Sequence, residues 1–464
     1  MPRLVIVGGS DAGISAALRA REVDPRAEVQ VLVADRFPNF SICGLPYYLS
    51  GEVPDWRLLA HRTTAEIEGQ GINLLLNLTA QRIEPVSKNV IAVDPDGTPQ
   101  AFAYDRLVIA TGATPIRPRI AGLDLPGVYV LHSMADSFAL HDHLTTNAPR
   151  SALIIGGGYI GLEMADALTR RGLTVTLVEQ APEVLPTVDS SLGDGVAAAL
   201  RRHGVMVATG SAVEAILPER TGLLVTGSAG FRVLVDLVLV AVGVRPETTL
   251  AREAGIAMGE RGAIRVSRAM ATNLVDILAA GDCVETWHRF LDRPAYLPLG
   301  TTAHKQGRVA GENAVGGQRL FEGSLGTQVV KVFDLACAST GLREEAAREF
   351  GYDPLTVESV VPDHKPYYPG ARNLRIRVAG DRRTGQLLGA QMLGHWQAEV
   401  AKRIDIFATA LFHRMQVDAL NDLDLSYTPP LSSPWDPVQV SAQAWVLAQR
   451  LPRPDAAIRM VDDT

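Results

Sequence analysis

Cysteine is scarce: Cys43, Cys283 and Cys337 are the only three in 464 residues. An odd, widely spaced set is not a disulfide framework, and it suits a reducing compartment, the cytoplasm. Long apolar runs are lacking too. Nothing approaches the roughly 20 residues that a spanning helix needs, so no membrane partner is expected. The most apolar stretch, Val235–Val244, is interrupted by Asp236 and reads as a buried parallel strand. The opening run Leu4–Val7 meets Gly8 too soon for a secretory signal. Excess positive charge is missing as well. A net charge of −7 argues against a nucleic-acid surface, which needs clustered Lys and Arg. No metal-ligand spacing stands out, so no metal is expected.

What is present is an ordinary globular composition, 47% hydrophobic and 20% charged, long enough for about three domains. Near the start, the apolar strand 4–7 runs into Gly8-Gly9-Ser10-Asp11-Ala12-Gly13 and a helical pattern from Ile14 to Leu18, with a second strand at Val29–Val33. This is the first half of a dinucleotide-binding βαβ unit. Its glycines allow the backbone to approach a pyrophosphate, and the helix N-terminus offers free N–H groups. Gly8, Ser10 and Gly13 are the candidate contacts, Ser10 standing where the pattern expects a glycine. Asp35 follows the second strand near the usual spacing of about 20 residues and is the candidate ribose ligand.

A second unit is complete. Strand Ala152–Ile155 leads into Gly156-Gly157-Gly158-Tyr159-Ile160-Gly161, then a helix from Leu162 to Arg171, a strand from Thr174 to Val178, and Glu179. Gly156, Gly158 and Gly161 should admit the second dinucleotide, and Glu179 should accept the ribose hydroxyls. An acid there repels a 2′-phosphate and neither Gln180 nor Ala181 offers a cation, so NADH is preferred and NADPH stays an alternative. Two such units imply two dinucleotides, one of them FAD, because a nicotinamide hydride needs an acceptor. Two further segments suit it: Tyr104–Ala113, a strand ending at Thr111 and Gly112, and Ile277–Asp282, a strand ending in Gly281-Asp282. Gly243 joins the cofactor-binding set. The expected fold class is α/β, with an NAD(P)H-binding Rossmann-like domain (116–244) inserted in an FAD-binding one (1–115 and 245–321). An α+β dimerisation domain (322–450) and a flexible tail (451–464) follow. In the third region Gln328–Leu335, Leu374–Val378 and Leu387–Leu393 read as strands and Ala398–Met415 as a helix.

Cys43 lies in Asn39-Phe40-Ser41-Ile42-Cys43-Gly44-Leu45-Pro46-Tyr47-Tyr48, just past the second strand of the first unit. A helix starting here would aim its positive end at the sulfur and favour the thiolate. Cys283 and Cys337 read as structural.

With these motifs in place, the chain resembles the pyridine nucleotide-disulfide oxidoreductases over residues 1–450. Members similar to glutathione reductase carry a second cysteine where Tyr48 stands, and a C-terminal His-Glu pair where Asp424–Pro430 stands. The single cysteine before Gly-Leu-Pro-Tyr-Tyr resembles the branch of coenzyme A disulfide reductases, NADH oxidases, NADH peroxidases and persulfide reductases. Peroxidases and oxidases carry a histidine in the first glycine loop; Asp11, read as a turn residue, stands there.

The resemblance implies a homodimer in which Tyr427, in Ser-Tyr-Thr-Pro-Pro, and Tyr368, before Pro-Gly, reach the partner subunit's cysteine as catalytic groups. Tyr367 is a substrate contact. Arg19, Arg21 and Arg62 are candidates for the phosphates of a coenzyme. The implied activity is reduction of a small disulfide such as coenzyme A disulfide by NAD(P)H through FAD and Cys43. Alternatives are a persulfide or polysulfide reductase, an NADH oxidase or peroxidase, and an electron-transfer reductase docking a ferredoxin-like protein. A redox sensor is a further one.

Overall fold

A computed structural model describes residues 2–451. The tail expected from residue 452 lies outside the described residues. The chain forms two compact units: one of residues up to 156, 167–178 and 212–324, the other of 157–166, 179–211 and 325 onward.

In the first unit, β-branched and leucine residues of Arg3–Val7, Glu28–Val33 and Arg106–Ile109 pair in parallel, with Ile277–Ala279 and Ile72–Leu76 at the edges. Both faces are covered, which is why these strands are apolar nearly throughout. Helix Asp11–Val23 lies against helix Gly300–Ala314. The approach is close enough that a β-carbon at Gly307 would fall 2.2 Å from Ala12 O, and one at Gly311 2.1 Å from Ala16 O.

A second parallel set joins Val128–Val130, Leu237–Val240, Ser151–Ile155 and Thr174–Glu179. The run expected as one buried parallel strand over Val235–Val244 is broken at Asp236, and only Leu237–Val240 is a parallel strand. Arg232–Val235 pairs antiparallel with Gly222–Gly227, and Leu237–Val240 turns into the parallel sheet. Asp236 itself accepts the Arg150 and Ser151 N–H groups at 2.8 and 2.9 Å. A short ladder of Ala113–Pro115 with Val244–Pro246 ties the chain where it leaves the flavin-type sheet to where it returns.

The second unit carries a five-stranded antiparallel sheet, ordered Gln328–Val332, Leu335–Gly341, Leu387–His395, Asn373–Asp381 and Pro354–Pro362. Helices Val400–Phe412 and Pro437–Gln449 pack on it. The single strand expected over Gln328–Leu335 is a hairpin instead. Its turn lies at Phe333, where φ is 55° and the N–H donates to Asp166 Oδ2 at 2.8 Å. A tertiary carboxylate holds this turn, so no Gly or Asn marks it in the sequence. Cys337 consequently sits on the second strand of the hairpin. The helix expected over Ala398–Met415 is trimmed to Val400–Phe412, because Glu399 and Arg414 both adopt positive φ. Among the described residues no helix is long and apolar enough to cross a membrane, and no cluster of three or more His, Cys, Asp or Glu could hold a metal.

Candidate active site

The first glycine loop is built by steric necessity. Gly8 has φ of +116°, and a β-carbon there would strike Ala110 O at 2.0 Å; at Gly13 it would strike Gly8 O at 1.9 Å. Gly9, which the sequence reading passed over, packs on Val33 with no room for a side chain. Ser10 needs no glycine: its φ is −93°, and it is the N-cap of helix Asp11–Val23 without a side-chain capping bond. The first-turn N–H groups thus face outward for an anion. Asp11 is the first helical residue rather than a turn residue.

Across the loop, Asp282 follows strand Ile277–Ala279. Loss of water and the nearby Asp11 carboxylate push its acid up to about 6. Its carbonyl accepts the Tyr296 hydroxyl at 3.1 Å, and Gly281 N–H donates to the buried Gln306 Oε1 at 2.9 Å. Thr111 Oγ1 donates to Glu247 O at 2.6 Å, and Gly112 and Gly243 take φ of +71° and +103°. Asp35 sits in an exposed turn and accepts the Phe37 N–H at 2.8 Å. These features fit FAD: a close backbone approach, an uncapped helix start, and a desolvated carboxyl awaiting a hydroxyl partner.

Cys43 stands inside a 3₁₀ turn, Ile42–Gly44, two residues ahead of the short helix Leu45–Ser50, not at that helix's first residue. It is exposed, whereas Cys283 and Cys337 are buried. Burial pushes those two thiols up to about 11 and about 12, keeping them protonated. The segment bearing Cys43 is fixed at both sides: Asn39 N–H donates to Gly9 O at 2.8 Å, and Ser41 N–H to Leu59 O at 2.8 Å. Asn39 adopts φ of 57° and its buried Oδ1 has no protein partner. Nothing in the one-letter sequence singled out Asn39, although Asn is among the few residues that accept this conformation. Gly44 is required because a β-carbon would meet Leu59 Cδ2 at 2.6 Å.

Phe37, Phe40, Trp56 and Phe138 form an edge-to-face cluster with centroids 5.3–5.7 Å apart. Tyr48, at the position of the missing second cysteine, stacks on His141 at 5.0 Å.

The second glycine loop opens with Gly156 at φ of +111°, where a β-carbon would meet Ala241 O at 2.4 Å. Gly158 has open space around it, and Gly161 is buried. Glu179 clamps the loop: Gly157 N–H donates to Oε2 and Ala181 N–H to Oε1, each at 2.7 Å. Tyr159, next to Gly158, is half-buried, and loss of water pushes its phenol up to about 12.

Of the arginines, Arg19 is held by Glu312 (2.6 Å) and Glu22 (2.8 Å), so its charge is already neutralised locally. Arg21 donates to the carbonyls of Gln70 and Ala27. Arg62 is exposed and, among the described residues, makes no ion pair.

In the second unit, Tyr367, Tyr368 and Tyr427 are all exposed, with Leu431 and Trp435. Tyr427 lies beside Tyr367; loss of water and this neighbour both push its phenol up. Tyr368 lies edge-on to the His364 ring at 5.8 Å.

Residues 2–307 match the pyridine nucleotide-disulphide oxidoreductase family, and residues 327–437 match the dimerisation domain of that family. The chain is 35% identical over 442 residues to an NAD(P)H sulfur oxidoreductase (CoA-dependent) of Pyrococcus furiosus, covering 95% of this chain and 98% of the relative. It is 28% identical to a coenzyme A disulfide reductase of Staphylococcus haemolyticus, covering 95% and 98%. The solved NAD-dependent persulfide reductase from A. fulgidus superposes with a TM-score of 0.92 at 36% identity, covering 98% of this chain and 86% of that one.

Proposed function

The chain belongs to the pyridine nucleotide-disulphide oxidoreductase family, and from that premise we propose that it is an NADH-dependent flavoenzyme that reduces a small disulfide such as coenzyme A disulfide at Cys43. We assign FAD to residues 1–115 and 245–321, NADH to 116–244 and dimer formation to 322–450, and place the work in the cytoplasm. One observation carries the reading: a single exposed thiol is anchored through Asn39 to the first glycine loop, while both other thiols are buried.

The residues that would hold FAD are Gly8, Ser10, Gly13, Asp35, Thr111, Gly112 and Asp282, with Asn39 added. Gly156, Gly158, Gly161, Glu179 and Gly243 serve NADH. FAD supplies a two-electron relay between nicotinamide and sulfur. Tyr48 rules out an internal disulfide with a neighbouring thiol, so Cys43 alternates between a thiolate and a mixed disulfide. The thiolate attacks one sulfur of the substrate; a new S–S bond forms and one thiolate leaves. Tyr427 of the partner subunit, beside Tyr367, gives that leaving group its proton, and the phenolate regains one from solvent. Cleavage of the mixed disulfide takes two electrons, ultimately from NADH, and releases the second thiol. The balance is disulfide plus NADH plus a proton giving two thiols and NAD⁺. Arg62 is the cation best placed to meet a substrate phosphate, since Arg19 and Arg21 are occupied.

Replacing Cys43 with Ser should abolish disulfide reduction and leave FAD bound; turnover at the parent rate by that variant would reject the assignment. A persulfide is the second reading, favoured by the likeness to the persulfide reductase. Sulfide release that outpaces coenzyme A disulfide reduction would select it.

A further inference from the structure

The two tyrosine-bearing loops of the second unit share one buried cation that the mechanism above does not use. Arg403, on helix Val400–Phe412, has a side chain only 6% exposed. Nη1 donates to Ala398 O at 2.7 Å. Nη2 donates to Asp363 O at 2.7 Å and to Leu431 O at 3.3 Å. Nε lies 4.0 Å from Asp436 Oδ2.

Asp363 begins the loop that carries Tyr367 and Tyr368. Leu431 ends the loop that carries Tyr427. Asp436 caps helix Pro437–Gln449, accepting Val438 N–H at 2.9 Å and the Ser432 hydroxyl at 2.8 Å. Both loops are tied at their bases. The Asp363 carboxylate accepts the backbone N–H groups of His364 and Arg372 at 2.9 Å each, and the His364 Nδ1 contact is also 2.9 Å. Among the described residues, the one backbone bond between the loops is long, Lys365 N–H to Pro429 O at 3.4 Å, and Lys365 Nζ also lies 5.0 Å over the Trp435 ring. The guanidinium is the buried link between them.

A buried charge is tolerated only when its donors are satisfied, and a planar five-donor fork reaches carbonyls spread more widely than the donors of a single ammonium nitrogen can. We infer that Arg403 is a positioning residue for the disulfide step: by fixing the two loops against each other it sets where the hydroxyls of Tyr367 and Tyr427 stand. The inference rests on the tyrosine role given under the proposed function.

The test is a double-mutant cycle on the FAD-loaded dimer. Rapid mixing separates reduction of the bound flavin by NADH from its reoxidation by coenzyme A disulfide. Arg403→Lys should slow reoxidation about tenfold and leave the NADH step within about twofold. In a Tyr427→Phe background the same change should cost less than about twofold, because what it displaces is already gone. Ser432→Ala, which loosens Asp436 at the far end of the network, should show a smaller loss with the same dependence on Tyr427. It carries the cycle if Arg403→Lys does not fold.

If the losses at 403 and 427 simply multiply, or if Arg403→Lys reoxidises at the parent rate, Arg403 is only a packing residue and the tyrosine role stands. If Tyr427→Phe alone reoxidises at the parent rate, the tyrosine role fails and this inference with it.

Discussion

Two carboxylates show how residue type and environment diverge. Asp282 is legible as the acid at the end of a strand, but its altered acidity is not, because that depends on burial in the folded chain and on Asp11 brought near at the start of helix Asp11–Val23. Its raised value means that the flavin-free protein is favoured with Asp282 protonated. That contribution is complete below about pH 4 and lost as pH rises through about 6. Asp282→Asn should therefore stabilise the flavin-free protein at pH 8 by about 3 kcal/mol and leave it unchanged at pH 4. Thermal unfolding of apoprotein at the two pH values checks this, and equal shifts at both would contradict it. Glu179 was legible from spacing alone, but its role as a clamp on Gly157 and Ala181 was not. Glu179→Ala should raise KM for NADH several-fold and narrow the preference over NADPH, read from the two kcat/KM values.

At the level of elements, periodicity and glycine patterns were enough to place both βαβ units, since each strand is apolar and each glycine loop follows it at once. They failed where tertiary contacts decide. The Phe333 turn is held by Asp166, and the start of helix Val400–Phe412 is set by Glu399 in a left-handed conformation. The contact between helices Asp11–Val23 and Gly300–Ala314 was also invisible, because Gly307 and Gly311 look like ordinary helix-weakening residues until Ala12 and Ala16 are seen against them. Gly311→Val should force the helices apart and cost on the order of 2–3 kcal/mol. It should also weaken FAD retention, as the first glycine loop opens onto the displaced helix. Unchanged melting temperature and flavin content would show that the pair can slide instead.

For the molecule as a whole, the family resemblance supplied the expectation of a homodimer and of a trans action of Tyr427, neither of which composition or spacing could reveal. Co-expression of Cys43→Ser and Tyr427→Phe subunits tests the arrangement directly. If the tyrosine acts across the dimer, each mixed dimer contains one site with Cys43 and Tyr427 both intact, and should turn over at about half the parent rate. If it acts within its own subunit, no site in the mixed dimer is intact and activity stays at the level of the slower homodimers. The exposed Tyr367, Tyr427, Leu431 and Trp435 surface is what a second copy would cover.

The paired segments Ala113–Pro115 and Val244–Pro246 mean that the chain departs and comes back through a single two-stranded doorway. The stretch between them has adjoining ends. Transplanting it from a relative with the opposite coenzyme preference must keep the carboxylate at Asp166 that holds the Phe333 turn, and the recipient's flavin spectrum should pass through the exchange unaltered.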